Sequence, residues 1–127
     1  MGCFYAGFDY KNRKNGYFKI GETMFNTPAR RLATIRHSDC FQCLAWLEMK
    51  GETQNERRAV EAMVRVRMER LEGMTAMQND HFGYAIEQGK KYEQANELAE
   101  MAIQFAIEEC ERMGIQWVRG TKTYKRG

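Results

Sequence analysis

Lys11, Arg13 and Lys14 stand close together in a polar stretch, Asp9–Gly16, that ends in Asn15-Gly16. Cations so placed either contact phosphate oxygens or solvate a turn. Arg30-Arg31 form a second cationic pair, with Arg36 a turn and a half beyond. Glu61 has Arg57, Arg58 and Arg65 at helical neighbour spacing, the pattern of a surface ion-pair cluster. Cys40-Phe41-Gln42-Cys43, with His37 just before it, has one feature of a zinc site. Structural zinc sites, however, use two such pairs, or a Cys pair with a His pair. Cys43 lies in an apolar stretch, so it reads more simply as a small buried hydrophobe.

These cations belong to a segregated charge pattern. The net charge of +3 divides into +5 over residues 1–70, −6 over residues 71–113 and +4 over residues 114–127. Separated blocks of this kind suit a polyanionic partner, although two solvated helices of opposite sign would look the same. With 127 residues, 43% of them hydrophobic, and a single proline, the chain can bury one core and is not a disordered polymer. The expected organisation is one domain over residues 1–114 and a basic tail over 115–127. No apolar run approaches the roughly 18 residues of a membrane helix, and the start lacks a secretory pattern. A cytoplasmic protein with four reduced cysteines and no membrane partner is expected.

The elements that must position these groups follow from periodicity. Cys3–Phe8 and Tyr17–Gly21 are aromatic and β-favouring on either side of the basic loop, and predict a hairpin. Asn26-Thr27-Pro28 predicts a helix start, with Leu32 and Ile35 giving an apolar stripe through Ala29–Arg36. Phe41–Met49 is an apolar run of strand length. Thr53 with Glu56 forms a capping-box pattern ahead of Val60, Met63, Val64, Met68 and Leu71, so a second helix spans Thr53–Glu72. Gly73–Gly89 reads as an ordered connection. Lys91–Met113 carries a third stripe through Leu98, Ala102, Phe105, Ala106 and Cys110, and Gly114 stands where a C-terminal cap belongs. Ile115–Val118 could dock as an edge strand, with the basic end frayed. The resulting order is ββαβαα, an α+β fold with a small, mostly antiparallel three-stranded sheet flanked by helices.

Cys3-Phe4-Tyr5 on the first strand, Lys19-Ile20-Gly21 on the second and Asn26-Thr27-Pro28-Ala29-Arg30-Arg31-Leu32 at the start of the first helix resemble the GIY-YIG nuclease superfamily. The likeness is to the phage-associated branch with a Lys-Ile-Gly second motif, and it covers roughly residues 3–84. It implies a metal-dependent endonuclease. Carried over residue by residue, Tyr5 contacts or deprotonates the attacking water, Lys19 assists, Arg31 binds the scissile phosphate, and Glu61 holds one Mg²⁺ or Mn²⁺. Tyr17 would share a strand face with Lys19 and assist. Asn79 is the candidate for a late polar residue that closes the site, with His81 as the second choice. The first motif has Cys3 in place of its glycine, and Lys19 stands where the family name has tyrosine.

Chemistry gives these residue types a purpose. Water, with a pKa near 15.7, is a weak nucleophile at neutral pH, so hydrolysis needs a nearby base and relief of the charge growing on phosphate. A phenol of pKa about 10 serves as base only if a neighbouring cation lowers it, a task that suits Lys19. A guanidinium offers a planar fork to phosphate oxygens. A hard cation is content with one or two carboxylates, water and phosphate. Lys11, Arg13, Lys14, Arg30 and Arg36 would add sequence-independent phosphate contacts, with DNA as the expected polymer. With no zinc finger or helix-turn-helix evident, targeting would come from DNA structure, a protein partner or homo-oligomerisation. Two other functions fit the same residues: a nucleic-acid-binding module without turnover, and a phage regulatory protein that docks through its acidic third helix.

Overall fold

Side chains that alternate across a strand but are apolar on both faces predict a sheet covered on both sides, and this is how the first strand is buried. The computed structural model describes residues 2–9, 17–32, 41–50, 53–71, 74–76, 81–84, 91–121 and 123–125. Its elements are β1 (Gly2–Asp9), β2 (Tyr17–Thr23), α1 (Ala29–Leu32), β3 (Phe41–Lys50), α2 (Gln54–Glu69), β4 (Met74–Ala76), β5 (His81–Tyr84), α3 (Lys91–Met113), β6 (Gln116–Arg119) and β7 (Tyr124–Lys125).

The fold is α+β, with an antiparallel sheet. Among the described residues that sheet has seven strands rather than three, in the order β4-β5-β2-β1-β3-β6, with β7 also paired to β3. The expected order ββαβαα leaves out four short strands, β4 to β7, of which only β6 was expected, as an edge strand. Each is two to four residues long, too short for a period-2 pattern to rise above its surroundings. The basic end is not wholly frayed, because Tyr124 and Lys125 pair with Cys43 and Gln42. Ile115–Val118 does lead into an edge strand, β6, on β3. Among the described residues no helix is long and apolar enough to cross a membrane.

The two faces of the sheet have different cores. Phe4, Ala6, Phe8, Phe18 and Ile20 face the helices, against Val60, Val64 and Met68 of α2 and Ala99, Ala102, Ile103 and Ala106 of α3. The i, i+4, i+8 spacing of the three α2 residues puts them on one side of the helix. Each such side chain contributes about 1.5–3 kcal/mol on burial. Small residues on α3 let that helix lie close to the strands. The other face carries Cys3, Tyr5, Phe41, Cys43 and Trp46. A register shift opposite Ala6/Gly7 explains how odd-numbered Phe41 and Cys43 share a face with even-numbered Trp46: the extra residue of the bulge reverses the alternation. Cys43 is buried, its thiol is pushed up to about 12 by that burial, and its S–H donates to the Ala45 carbonyl at 3.4 Å. It is core, as its apolar setting suggests, while Cys40 and His37 lie outside the described residues.

Two of the helix termini expected from the sequence are formed as capped ends. Thr53 Oγ1 accepts from the Glu56 amide at 3.2 Å, and Glu56 Oε1 accepts from the Thr53 amide at 2.8 Å. At the end of α3 the Ile115 amide donates to the Cys110 carbonyl at 2.8 Å, and the Gly114 amide to Glu111 at 3.3 Å. This pairing requires the left-handed Gly114, whose φ is 73°. Nothing lies within reach of a Cβ there, so Gly114→Ala suffers backbone strain alone. We expect a loss of about 1 kcal/mol, read as a lower urea midpoint with an unchanged slope.

Candidate active site

Pairing register decides which side chains meet. Tyr5 lies opposite Gly21 and Gly7 opposite Lys19 in the β1–β2 ladder, and directly paired residues share a face. Tyr5 and Lys19 therefore stand together on the face away from α3. Both are buried, at 1% and 2% exposure. The Tyr5 ring meets Phe41 edge-on, with centroids 5.9 Å apart. A Cβ at position 21 would collide with Tyr5 Cζ and Oη. The glycine of Lys19-Ile20-Gly21 is thus explained by its cross-strand partner: only a bare backbone lets the phenol lie across β2.

The hydroxyl so placed meets α1. The Arg31 side chain donates a hydrogen bond to the Tyr5 phenol. The adjacent Arg30 instead holds its guanidinium over the Phe25 ring, 4.8 Å from the centroid, so the two arginines of this helix have different tasks.

Glu61 approaches from the other layer. Val60 and Val64 turn α2 onto the core, and Glu61, about 100° further round the helix, falls beside β2. Lys19 and Glu22 act on its carboxyl, and it acts in turn on Tyr5. Arg65 Nη2 donates to Glu61 Oε1 at 2.8 Å. Of the three arginines at helical spacing, Arg65 is the one whose ion pair with Glu61 is seen. Arg57 reaches out of the helix to Glu22 on β2, with Nε 3.1 Å from Oε2.

The electrostatics follow from burial. Removal from water pushes the Tyr5 phenol up to about 12, against the hydrogen bond and charge of Arg31, which pull it down. Sequence reasoning assigned this cationic task to Lys19; the geometry gives it to Arg31, while Lys19 acts on Glu61. Burial also raises Glu61 above the ordinary carboxylate range, helped by the like charge of Glu22, with Arg65 and Lys19 opposing.

A largely buried carboxylate raised in this way gains from a cation beside it. Among the described residues no group of three or more His, Cys, Asp or Glu could form a closed cage. A single carboxylate of this kind fits a lightly liganded hard cation that keeps its waters, the habit of Mg²⁺.

Lys11, Arg13, Lys14, Arg36 and Asn79 lie outside the described residues. Tyr17 has a place in β2 opposite Gly83, and His81 a place in β5 opposite Lys19. Sequence reasoning missed Glu22, Arg57 and Phe25. The Glu22–Arg57 pair spans 35 residues, and no local period links positions so far apart. Phe25, one residue before Asn26-Thr27-Pro28, could have been found as an aromatic beside a basic helix start. No protein-family model, curated protein or solved structure matches this chain, so its function must be read from these side chains.

Proposed function

We propose that this chain is a divalent-metal-dependent endonuclease that hydrolyses phosphodiester bonds of nucleic acid, with DNA as its polymer. In this reading β1, β2, α1, β3 and α2 form a GIY-YIG-like centre within the larger sheet. One observation carries it: Tyr5 shares a sheet face with Lys19 and accepts a hydrogen bond from Arg31, and Glu61 lies within electrostatic reach of both Tyr5 and Lys19, so groups from four elements converge beside β2. A purely structural ion pair does not need a phenol, a guanidinium and a raised carboxyl in one place.

Each side chain has a task there. Arg31 is half-exposed and offers its fork to phosphate oxygens, oriented by its bond to Tyr5. Lys19 balances the Glu61 carboxylate. Glu61 would hold Mg²⁺ or Mn²⁺, and the bound cation supplies positive charge to the phosphate and leaving oxygen. The Tyr5 phenol, protonated at neutral pH, orients a water or phosphate oxygen. It becomes a base only through its small ionised fraction, which Arg31 enlarges against burial. The reading also puts the protein in the cytoplasm, with a partner or a second copy supplying target choice.

The burial of Tyr5 and Lys19 favours one other function, nucleic-acid binding without turnover, because a base must reach its water. Supercoiled plasmid separates the two. In Mg²⁺ or Mn²⁺ the protein is expected to convert it to nicked circles, and EDTA should stop the conversion. A low-salt gel shift without nicking in either metal would leave the binding module as the function.

A further inference from the structure

The hydrolytic reading does not account for the hollow in front of Arg31. Glu22, Arg31 and Arg57 line a groove of about 520 Å³. Through Met24, Phe25 and Arg57 it joins a second hollow of about 620 Å³ that has Arg30 on its wall. Volumes of this size accommodate a ligand of several rings or a nucleotide.

The wall is not that of a plain phosphate track. Met24 is 66% exposed, and Phe25 is half-buried with the Arg30 guanidinium stacked on its ring. A methionine and a ring facing water gain nothing from phosphate, but they gain from covering a flat apolar surface. The stacked ring and guanidinium form a layered platform of the kind on which nucleobases lie. Beneath it Arg57, 8% exposed, is fixed by Glu22. Its charge is partly answered there, and it serves as a rigid floor.

We infer that Met24, Phe25, Arg30 and Arg57 form a stacking subsite for an unpaired nucleobase next to the phosphate held by Arg31. The substrate is then nucleic acid with single-stranded character at the cut. The inference rests on the endonuclease reading and names its substrate class. In an intact duplex both faces of a base are covered by neighbours, and only a base outside the stack can lie on the Phe25–Arg30 layer.

The test uses the full chain in EDTA, with fluorescence anisotropy on three probes: a labelled single-stranded oligodeoxynucleotide, its perfect duplex, and a duplex with one bulged 2-aminopurine. The single strand and the bulge are expected to bind more tightly than the duplex. Phe25→Leu should weaken those two about tenfold and leave the duplex unchanged. The 2-aminopurine emission should be quenched by the wild type and less by the variant. Arg30→Lys keeps the charge and removes the flat layer, so it should weaken the same two probes. Circular dichroism checks that each variant is folded.

Equal affinity of wild type and both variants for all probes would overturn the stacking subsite. If plasmid is still nicked in Mg²⁺, the endonuclease reading survives that result. Phe25-dependent binding with no cleavage in either metal supports the subsite and removes the hydrolytic reading. No binding to any probe removes the subsite, and no nicking of plasmid beside it removes both.

Discussion

Exchanging Glu61 for glutamine is expected to lower Mg²⁺-dependent nicking by about a thousandfold while leaving the fold and low-salt DNA binding intact. The carboxyl is raised by burial and by Glu22, so the folded protein holds its proton more tightly than the unfolded chain. This group therefore favours the fold below the ordinary carboxylate value, and the benefit is lost as pH rises through the raised value. At neutral pH without metal the charged form is a liability that glutamine removes. Arg65, the partner left behind, has a side chain 37% exposed and can turn to water. The metal-free variant should thus melt no lower than wild type at neutral pH. Mg²⁺ should raise the melting temperature of the wild type and not of the variant, by mass action on the folded state. Wild-type nicking should fall as pH is lowered through the raised Glu61 value, because the protonated carboxyl no longer attracts a cation. Unchanged nicking by Glu61→Gln would remove the metal ligand from the proposal.

Local features of the fold were legible because their causes are local. The Thr53–Glu56 capping box, the α2 stripe of Val60, Val64 and Met68, and the Gly114 terminus each depend on residues a few positions apart, and all are present. The strands with clear patterns, β1, β2 and β3, were legible too. The bulge opposite Ala6/Gly7 was not. It depends on how β3 lies against β1, and in Phe41–Met49 the residues are apolar on both faces, so their pattern hides the shift. The same holds for β4, β5 and β7, which exist because a longer strand offers them an edge.

The site divides along the same line. Side-chain types were readable one at a time, but their meeting depended on a register that no spacing in the sequence encodes. Tyr5 opposite Gly21 makes the phenol lie across β2, and Gly7 opposite Lys19 puts the ammonium on its face. The link between Arg31 and Tyr5 was hidden for the same reason. Its contact with Tyr5 joins a four-residue helix to a strand far away in sequence. Arg57 read as a neighbour of Glu61 because helical spacing is visible in sequence, whereas a carboxylate on the adjoining strand is not.

Tyr5→Phe should reduce nicking by about 100- to 1000-fold at a small cost to stability. The ring, its contact with Phe41 and its place over Gly21 all remain. Only the oxygen that accepts from Arg31 is lost, and Arg31 is half-exposed, so the expected cost is about 1 kcal/mol. Tyr5→Ala differs, because it empties one of the largest fully buried sites in the core. A loss of about 3–5 kcal/mol is expected there, and its inactivity would say nothing about chemistry. The phenylalanine variant therefore carries the test. A phenol raised to about 12 stays protonated through neutral pH, and its ionised fraction grows tenfold with each pH unit below that value. If Tyr5 is the base, wild-type nicking should climb across the alkaline range while the residual rate of Tyr5→Phe stays flat. If it only orients groups through its O–H, the wild type should keep its advantage at neutral pH and lose it as the phenol ionises. A variant as fast as wild type at every pH would make Tyr5 a sheet aromatic, and the arrangement beside β2 would then lose its hydrolytic meaning, since Arg31 and Glu61 alone provide charge but no partner for the water.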